Sequence, residues 1–554
     1  DKILTNFKQY DGYTMTLCIC IRNRKDFIIM KKGIESTNKE LKNLLDKEDT
    51  IIIDWEDLNQ AFHHFKLSFQ HRDIENIMTS NKSMLCLKMH QQLGVMKTLY
   101  LKNDKKENKI LWGHVQRSGK SYIIGGCIIQ DSLQKNICNY LVITTAPNET
   151  IEQQRKVFDC MQLQDFNIII LNAKDKNPPV KDKNIIICSK QFLQGKIDNV
   201  NEKIKNITWL KKISFDMRFI DESHNGGTTE LAQKTLDTFG KNSFTVQITA
   251  TYAKPINNYN ISKENRILWD LEDITLCKNI DKDGSIDDLV VKHGPEIKEV
   301  IQKYSLKNIK AEYAKYPELW ILTDEIKPQV ATKILQNTKN NEYGWSPETC
   351  FLLKQGIQKD SSEIDIKEEF QNETEILKLW YRIFGKKGNF GIPDKEYSED
   401  KVFIKRIEKI CKNHIIGSRF IGEGDFRNEP MIIMAFLPQN NIDKLSRATI
   451  KLFEKYSLLT DYEVISINSK TTNNPKQTIE DGRVKARNSY KKGVLVLSGR
   501  QCSLGVSIDN CDIVLLLNNN MGFDLIYQMM FRCMTEGKNK KCGFVVDLNI
   551  HRVI

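Results

Sequence analysis

Apolar residues gather along the chain in short β-branched runs separated by longer mixed stretches. One series comprises Ile110-Leu111-Trp112, "NYLVITTAP" (139–147), "FNIIIL" (166–171), "NIIICS" (184–189), "MRFIDESH" (217–224) and "FTVQITAT" (244–251). Runs that are apolar at every position suit strands covered on both faces, so they predict the buried parallel sheet of an α/β lobe. A second series, "MIIMAFLP" (431–438), "YEVISIN" (462–468), "GVLVLSG" (493–499), "DIVLLLN" (512–518) and "CGFVVDL" (542–548), predicts another. The fold class is thus α/β, with two parallel-sheet lobes at residues 81–255 and 429–554. Polar residues close most of the runs, and in open parallel sheets functional groups collect at those carboxyl ends.

Two stretches fall outside the lobes. Residues 1–80 form an N-terminal extension, with a hairpin expected over "YTMTLCICIRNRKDFIIMKK" and a helix around "WEDLNQAFHHFK". Residues 256–428 are charged, mixed and too long for a linker alone, which predicts a linker with a large, mainly helical inserted domain.

Composition changes this picture little. A chain of 554 residues exceeds one core, which agrees with several domains. A net charge of +12 is compatible with a polyanionic partner, and a lysine-rich solvated surface accounts for it equally well. No apolar run approaches the ~20 residues that span a bilayer, and no secretory signal opens the chain, so a soluble intracellular protein without a membrane partner is expected. The fourteen cysteines show no C-x-x-C spacing, which argues against a zinc cluster or a disulfide framework. A chain that opens at Asp1 is the expectation for a piece of something longer.

Candidate chemistry begins at "WGHVQRSGKSYIIGG" (112–126). A phosphate-binding loop reads G-x-x-x-x-G-K-[ST]: backbone N–H groups wrap the phosphates, the lysine reaches the outer ones and the hydroxyl ligates magnesium. Gly119, Lys120 and Ser121 fit, with Arg117 and Ser118 beside them. His114 stands where the first glycine belongs, and Gly113 is one residue early. The apolar run before the loop and the helix-like "SYIIGGCII" after it supply the strand–loop–helix setting. In "FIDESH", Asp221 and Glu222 leave a strand together; ATP hydrolysis needs one carboxylate for a metal and another to orient water, although an acidic helix cap has the same pattern.

In these residues the chain resembles the superfamily 2 helicases and translocases, of the DExH type. "GKS" matches their first motif, "DESH" their D-E-x-H box and "TAT" (249–251) their S/T-A-T motif. "LKMHQQ" resembles the segment carrying their adenine-reading glutamine, here Gln91. "TTAPNET" (144–150), with Thr145 and Pro147, and "CSKQFL" (188–193), with Ser189, look like segments that contact the nucleic-acid backbone. "SGRQCSLGVSID" (498–509), with Gly505, resembles the fifth motif, and "YQMMFRCMTEG" (527–537) the sixth. The sixth departs from the pattern: Gln528 and Arg532 are in place, but Phe531 replaces a glycine and Thr535 stands where a second arginine belongs.

The resemblance implies two RecA-like lobes, the first binding ATP and the second the helicase C-terminal lobe, with ATP and Mg2+ between them. Gly119, Lys120 and Ser121 would hold phosphates, Ser121 and Asp221 the metal, and Glu222 the attacking water. Arg532 and Gln528 would reach across from lobe two, with Arg117 an alternative cation. His224, Thr249 and Thr251 would couple the nucleotide to a nucleic-acid strand gripped through its phosphates. Within the superfamily the chain is most similar to helicases of large nucleocytoplasmic DNA viruses and to restriction-system translocases. That implies DNA more than RNA as partner, and host cytoplasm or virion as location. "WYRIFGKKGNFG" (380–391) interleaves aromatics and cations and suits base stacking, or a core helix end followed by a solvated loop. "IIIDWEDL" (51–58) offers nuclease-like carboxylates without a partner lysine pattern. Two other readings stay open: a scaffold that keeps the fold without useful turnover, and a nucleotide-binding regulator with no nucleic-acid role.

Overall fold

The computed structural model describes residues 18–37, 39–45, 51–68, 82–144, 149–171, 179–197, 207–221, 238–240, 242–250, 261–323, 350–357, 364–385, 401–414, 430–438, 440–468, 470–472, 474–499, 511–537, 540–549 and 552. Near the N-terminus the expected hairpin is replaced by a strand–helix unit. Strand β1 (Cys18–Cys20) pairs in parallel with β2 (Ile51–Ile53), and helices α1 (Arg24–Thr37) and α2 (Trp55–Ser68) follow them. The stretch "DFIIMKKGI" is helical because its covered positions are Phe27, Lys31 and Ile34, a helical stripe, while Ile28 and Ile29 face solvent. Asp54 and Asp57 cap α2 by accepting from each other's backbone N–H, and both accept from the Arg24 guanidinium, so these carboxylates are engaged structurally.

The first lobe is a seven-stranded, all-parallel sheet. Helix α3 (Met89–Asn103) precedes β3 (Lys109–His114), and α4 (Lys120–Asp131) follows it. Then come β4 (Cys138–Thr144), β5 (Asn167–Leu171), β6 (Lys183–Ser189), β7 (Met217–Ile220), β8 (Phe244–Thr249) and β9 (Arg266–Trp269), ordered β5-β6-β4-β7-β8-β3-β9. Tyr140 and Val142 bury on one face, Leu141 and Ile143 on the other, which is why the run shows no polar alternation.

After β9 the helices α5 (Leu271–Lys278), α6 (Ser285–His293), α7 (Glu296–Gln302) and α8 (Leu306–Tyr313) lead into β10 (Glu318–Leu322), an edge strand of the second sheet. The stretch between the expected lobes therefore adds one strand to each sheet. An antiparallel pair, β11 (Leu353–Ile357) and β12 (Ile364–Phe370), with α9 (Glu373–Phe384) and α10 (Phe403–His414), completes the described insertion. The second sheet joins β13 (Met431–Phe436), β14 (Tyr462–Ile467), β15 (Gly493–Ser498), β16 (Cys511–Leu516) and β17 (Cys542–Asp547) in the order β10-β17-β16-β13-β15-β14, all parallel. The chain is thus α/β with two RecA-like parallel-sheet lobes, as expected.

Alternation along β13 divides the second core. Ile433 and Ala435 pack with Trp380, Ile383 and Phe403 of the insertion. Ile432, Met434 and Phe436 share a cluster with the helices after β9 and with Met89, Leu93 and Trp269 of the first lobe. Trp380 and Tyr381 of "WYRIFGKKGNFG" are core residues, not a stacking platform, and residues 386–391 lie outside the described residues. Among the described residues no helix is long and apolar enough to cross a membrane.

Candidate nucleotide-binding site

The site starts where β3 runs out. His114 is the last residue of the strand, fully buried, and neither ring nitrogen has a hydrogen-bond partner. The chain keeps its pairing one residue further, with Val115 N donating to Trp269 O at 2.8 Å. It then turns through left-handed conformations at Arg117 (φ 67°) and Gly119 (φ 77°), and Gly119 caps α4. The conformations that favour glycine therefore fall at 117 and 119, not at 114, so a side chain is sterically acceptable where the motif has its first glycine. Lys120 and Ser121 open α4, whose N-terminal amides and dipole favour an anion.

Close packing holds α4 in position. A Cβ on Gly126 would come within 2.7 Å of Leu87 Cδ1 and 2.8 Å of Val95 Cγ2, so the "IIGG" glycines allow α3 and its lead-in to pack tightly against α4.

The loop's carbonyls are held from outside. Gln91 Nε2 donates to Ser118 O at 2.9 Å, and Gln91 Oε1 accepts from Lys88 N. His90 Nε2 lies 2.8 Å from Ser118 O while its Nδ1 meets the Tyr313 hydroxyl at 2.5 Å. Neutral His90 with the proton on Nε2 satisfies both contacts. Burial pushes its pKa down to about 3 and holds His114 well below the ordinary histidine value. The Tyr316 hydroxyl donates to Gln116 O at 3.1 Å, and burial raises its pKa. Gln91 is thus placed at the site, with its amide on the loop.

Asp221 directly follows β7, its N donating to Ile143 O at 2.8 Å, so it stands at the carboxyl end of the sheet that carries Lys120. Thr249 ends β8 in register with Gly113 and is buried. Ser189 ends β6, and its hydroxyl accepts from Phe192 N at 3.1 Å as a helix cap. Beside it, burial lowers the Lys190 ammonium to about 8. Glu222, His224, Thr251, Thr145, Pro147 and Gly505 lie outside the described residues.

In lobe two, Gln528 lies buried on α11 (Phe523–Met530) and Arg532 on the short 3-10 turn after it. The departures from the sixth motif have structural reasons. Phe531 sits in the core shared with Met89 and Trp269, its ring 4.2 Å from that of Tyr527. Thr535 is folded into a turn, donating to Arg532 O while its own carbonyl accepts from Lys540 Nζ. Lys88 and Glu536 form an ion pair between the lobes at 3.1 Å, and the charges of Glu536 and Arg117 both act on the Tyr316 hydroxyl. The sixth-motif segment is therefore tied to the phosphate loop through Lys88, whose N–H binds the Gln91 that holds Ser118 O.

The loop fits a phosphate group. Left-handed residues at Arg117 and Gly119 and a helix N-terminus form an anion cradle. Among the described residues no group of three His, Cys, Asp or Glu side chains could hold a metal ion; on the family resemblance magnesium would rest on Ser121, Asp221 and the phosphates. Tyr313, Tyr316, His90 and Trp269 were not singled out from sequence: Tyr316 meets the loop across 200 positions, and Tyr313 meets His90, which holds the loop, across 223.

Residues 67–254, less than half of the chain, match the family model described as the type III restriction enzyme res subunit. No curated protein matches the chain. Among solved structures it is similar to the ATP-dependent type ISP restriction-modification enzyme LlaBIII bound to DNA, at 10% identity and TM-score 0.46, covering 98% of this chain and 32% of that one. It is also similar to the DUF1998 helicase MrfA bound to DNA, at 12% identity and TM-score 0.43, over 84% and 49%. A third is S. cerevisiae Dbp5 bound to RNA and ADP BeF3, at 10% and 0.39, over 84% and 88%. The chain thus spans about a third of LlaBIII and about half of MrfA.

Proposed function

We propose that the chain is a superfamily 2 ATPase that moves on or unwinds nucleic acid, with DNA favoured as its track. The observation that carries the reading is the strand–loop–helix cradle at Gly119, set in the same parallel sheet as Asp221, within the segment that matches the restriction-enzyme res subunit family model. Lys120 and the amides opening α4 hold the phosphates, and Ser121 and Asp221 hold magnesium, which when bound neutralises charge on the transferred phosphoryl group. Glu222 orients the attacking water. Gln528 and Arg532 answer from lobe two, Thr249, Thr251 and His224 link the cleft to the strand, and Thr145, Pro147, Ser189 and Gly505 face its backbone. The resemblance of the R-S-G-K-S loop and the sixth-motif stretch to helicases of large DNA viruses is read from the sequence alone, and on it we infer a site of action in an infected cytoplasm or a virion.

The test is phosphate release by the purified chain with ATP and magnesium, alone and with single- or double-stranded DNA or RNA, beside Glu222→Gln. Stimulation by one nucleic acid that falls at least ~100-fold in the variant is the expected result. Turnover no higher than the variant's under every condition, with ATP still bound, would leave the scaffold reading.

A further inference from the structure

The phosphate loop is held by side chains from the segment that leads into the other lobe. Tyr313 ends α8 and Tyr316 follows three residues later. Pro317 alone separates Tyr316 from β10, whose first residue, Glu318, donates its N–H to Lys541 O beside β17. Both tyrosine rings are fully buried, and Pro317 is buried too. Proline fixes its own backbone angle, so the step from Tyr316 to β10 is short and stiff. At the other end the hydroxyls reach two carbonyls of one loop: Tyr316 meets Gln116 O directly, and Tyr313 reaches Ser118 O through His90.

We propose that Tyr313 and Tyr316 are positioning residues forming a clasp through which the second sheet sets the shape of the phosphate loop. The clasp rests on the reading that this loop binds phosphates, and it gives that reading a route for communication. The loop's peptide planes fix where its N–H groups point, and two of those planes carry the carbonyls the clasp holds. A shift of β10 is passed by Pro317 to Tyr316 and Tyr313 and rotates the Gln116 and Ser118 peptides. By reciprocity, an anion that reorganises the loop biases β10 and the sheet it belongs to. Lys88 reinforces the connection: its N–H binds Gln91, its ammonium binds Glu536, and Gln91 holds the same Ser118 carbonyl.

The test compares the full chain with Tyr316→Phe, Tyr313→Phe and Pro317→Gly. The first two remove one hydroxyl each and keep the ring in its core, while the third leaves both hydroxyls in place and softens the connection. Amide hydrogen exchange of residues 115–121 is measured without nucleotide, with β15 (Gly493–Ser498) as the internal reference for folding. Loss of the Tyr316 bond to Gln116 O, or of the two bonds between the Tyr313 hydroxyl and His90, should speed loop exchange roughly threefold to tenfold or more, with β15 unchanged. Pro317→Gly should speed it too, which a purely local hydrogen-bond role would not do. Loop exchange within twofold of the parent in all three variants overturns the clasp, and a response to the Phe variants but not to Pro317→Gly reduces it to local packing. ATP turnover is read in parallel: a parent chain that hydrolyses nothing defeats the proposed function, while the exchange data still decide the clasp.

Discussion

At the scale of single residues, Arg117 is where the loop departs most from an unstrained design. Its φ of 67° is left-handed, which costs a non-glycine residue roughly 1–2 kcal/mol. Replacing it with glycine removes that strain and loosens the unfolded chain by about 0.4–1 kcal/mol, so the backbone terms of Arg117→Gly should roughly cancel or slightly favour the variant, and stability beyond that reads the contacts of the side chain. If the guanidinium serves the bound anion, the same variant raises the KM for ATP several-fold. Thermal melting and steady-state kinetics check both halves. A marked loss of stability with unchanged KM would mean that Arg117 holds the fold and not the ligand. His114 is the contrasting case: the missing glycine looked like a defect because the motif records a residue type, whereas the chain imposes a conformation, and here that conformation is ordinary extended strand.

At the scale of elements, the tight approach of α4 to α3 and its lead-in is open to a direct test. Gly126→Ala places a methyl group 2.7 Å from Leu87 Cδ1, and overpacking of this kind costs roughly 1–3 kcal/mol, against about 1 kcal/mol gained from helix propensity. A net loss of stability together with a raised KM for ATP is expected, because α4 carries Lys120 and α3 carries Gln91. A neutral or stabilising Gly126→Ala would show that the helices separate without consequence. The elements also show what could be read in advance. The apolar runs all became strands, mostly buried on both faces, with a few buried polar side chains such as Thr245 and Gln247 in β8. Among the strands that escaped notice, β9 and β10 are short edge strands of the two parallel sheets; in β10 Glu318 and Ile321 are exposed, so the hydrophobic signature is broken. The motif-bearing part of the site was legible because Gly119, Lys120 and Ser121 are contiguous. Its supports were not, because Tyr313 and Tyr316 reach the loop from about 200 positions away and the pattern around "EYAKY" is that of any buried helix end.

At the scale of the whole molecule, the core that joins the lobes contains histidines kept neutral. His90 stacks on Trp269 and is held at a pKa of about 3, and His114 lies close by with its pKa also depressed. Both are ordinary histidines in the unfolded chain, so between about pH 6.5 and 3 the unfolded state binds protons that the folded state refuses. The sign follows: their contribution to stability is complete above pH 6.5 and falls as the solution is acidified, by up to about 1.4 kcal/mol per pH unit for each group. Asp131 and Asp273, whose carboxyls are held low against desolvation by Lys102 and by His293, add to the loss only at more acid pH. Chemical denaturation midpoints should therefore be flat from pH 8 to 7 and drop steadily from 6.5 to 4.5. In His90→Gln the amide can still donate to Ser118 O and accept from Tyr313, but it does not titrate, so that slope should shrink by about half. An unchanged slope would mean that His90 takes up its proton within the fold. The junction between Tyr313 and the phosphate loop would then open under mild acid, and ATP binding would weaken as the pH falls through the same range.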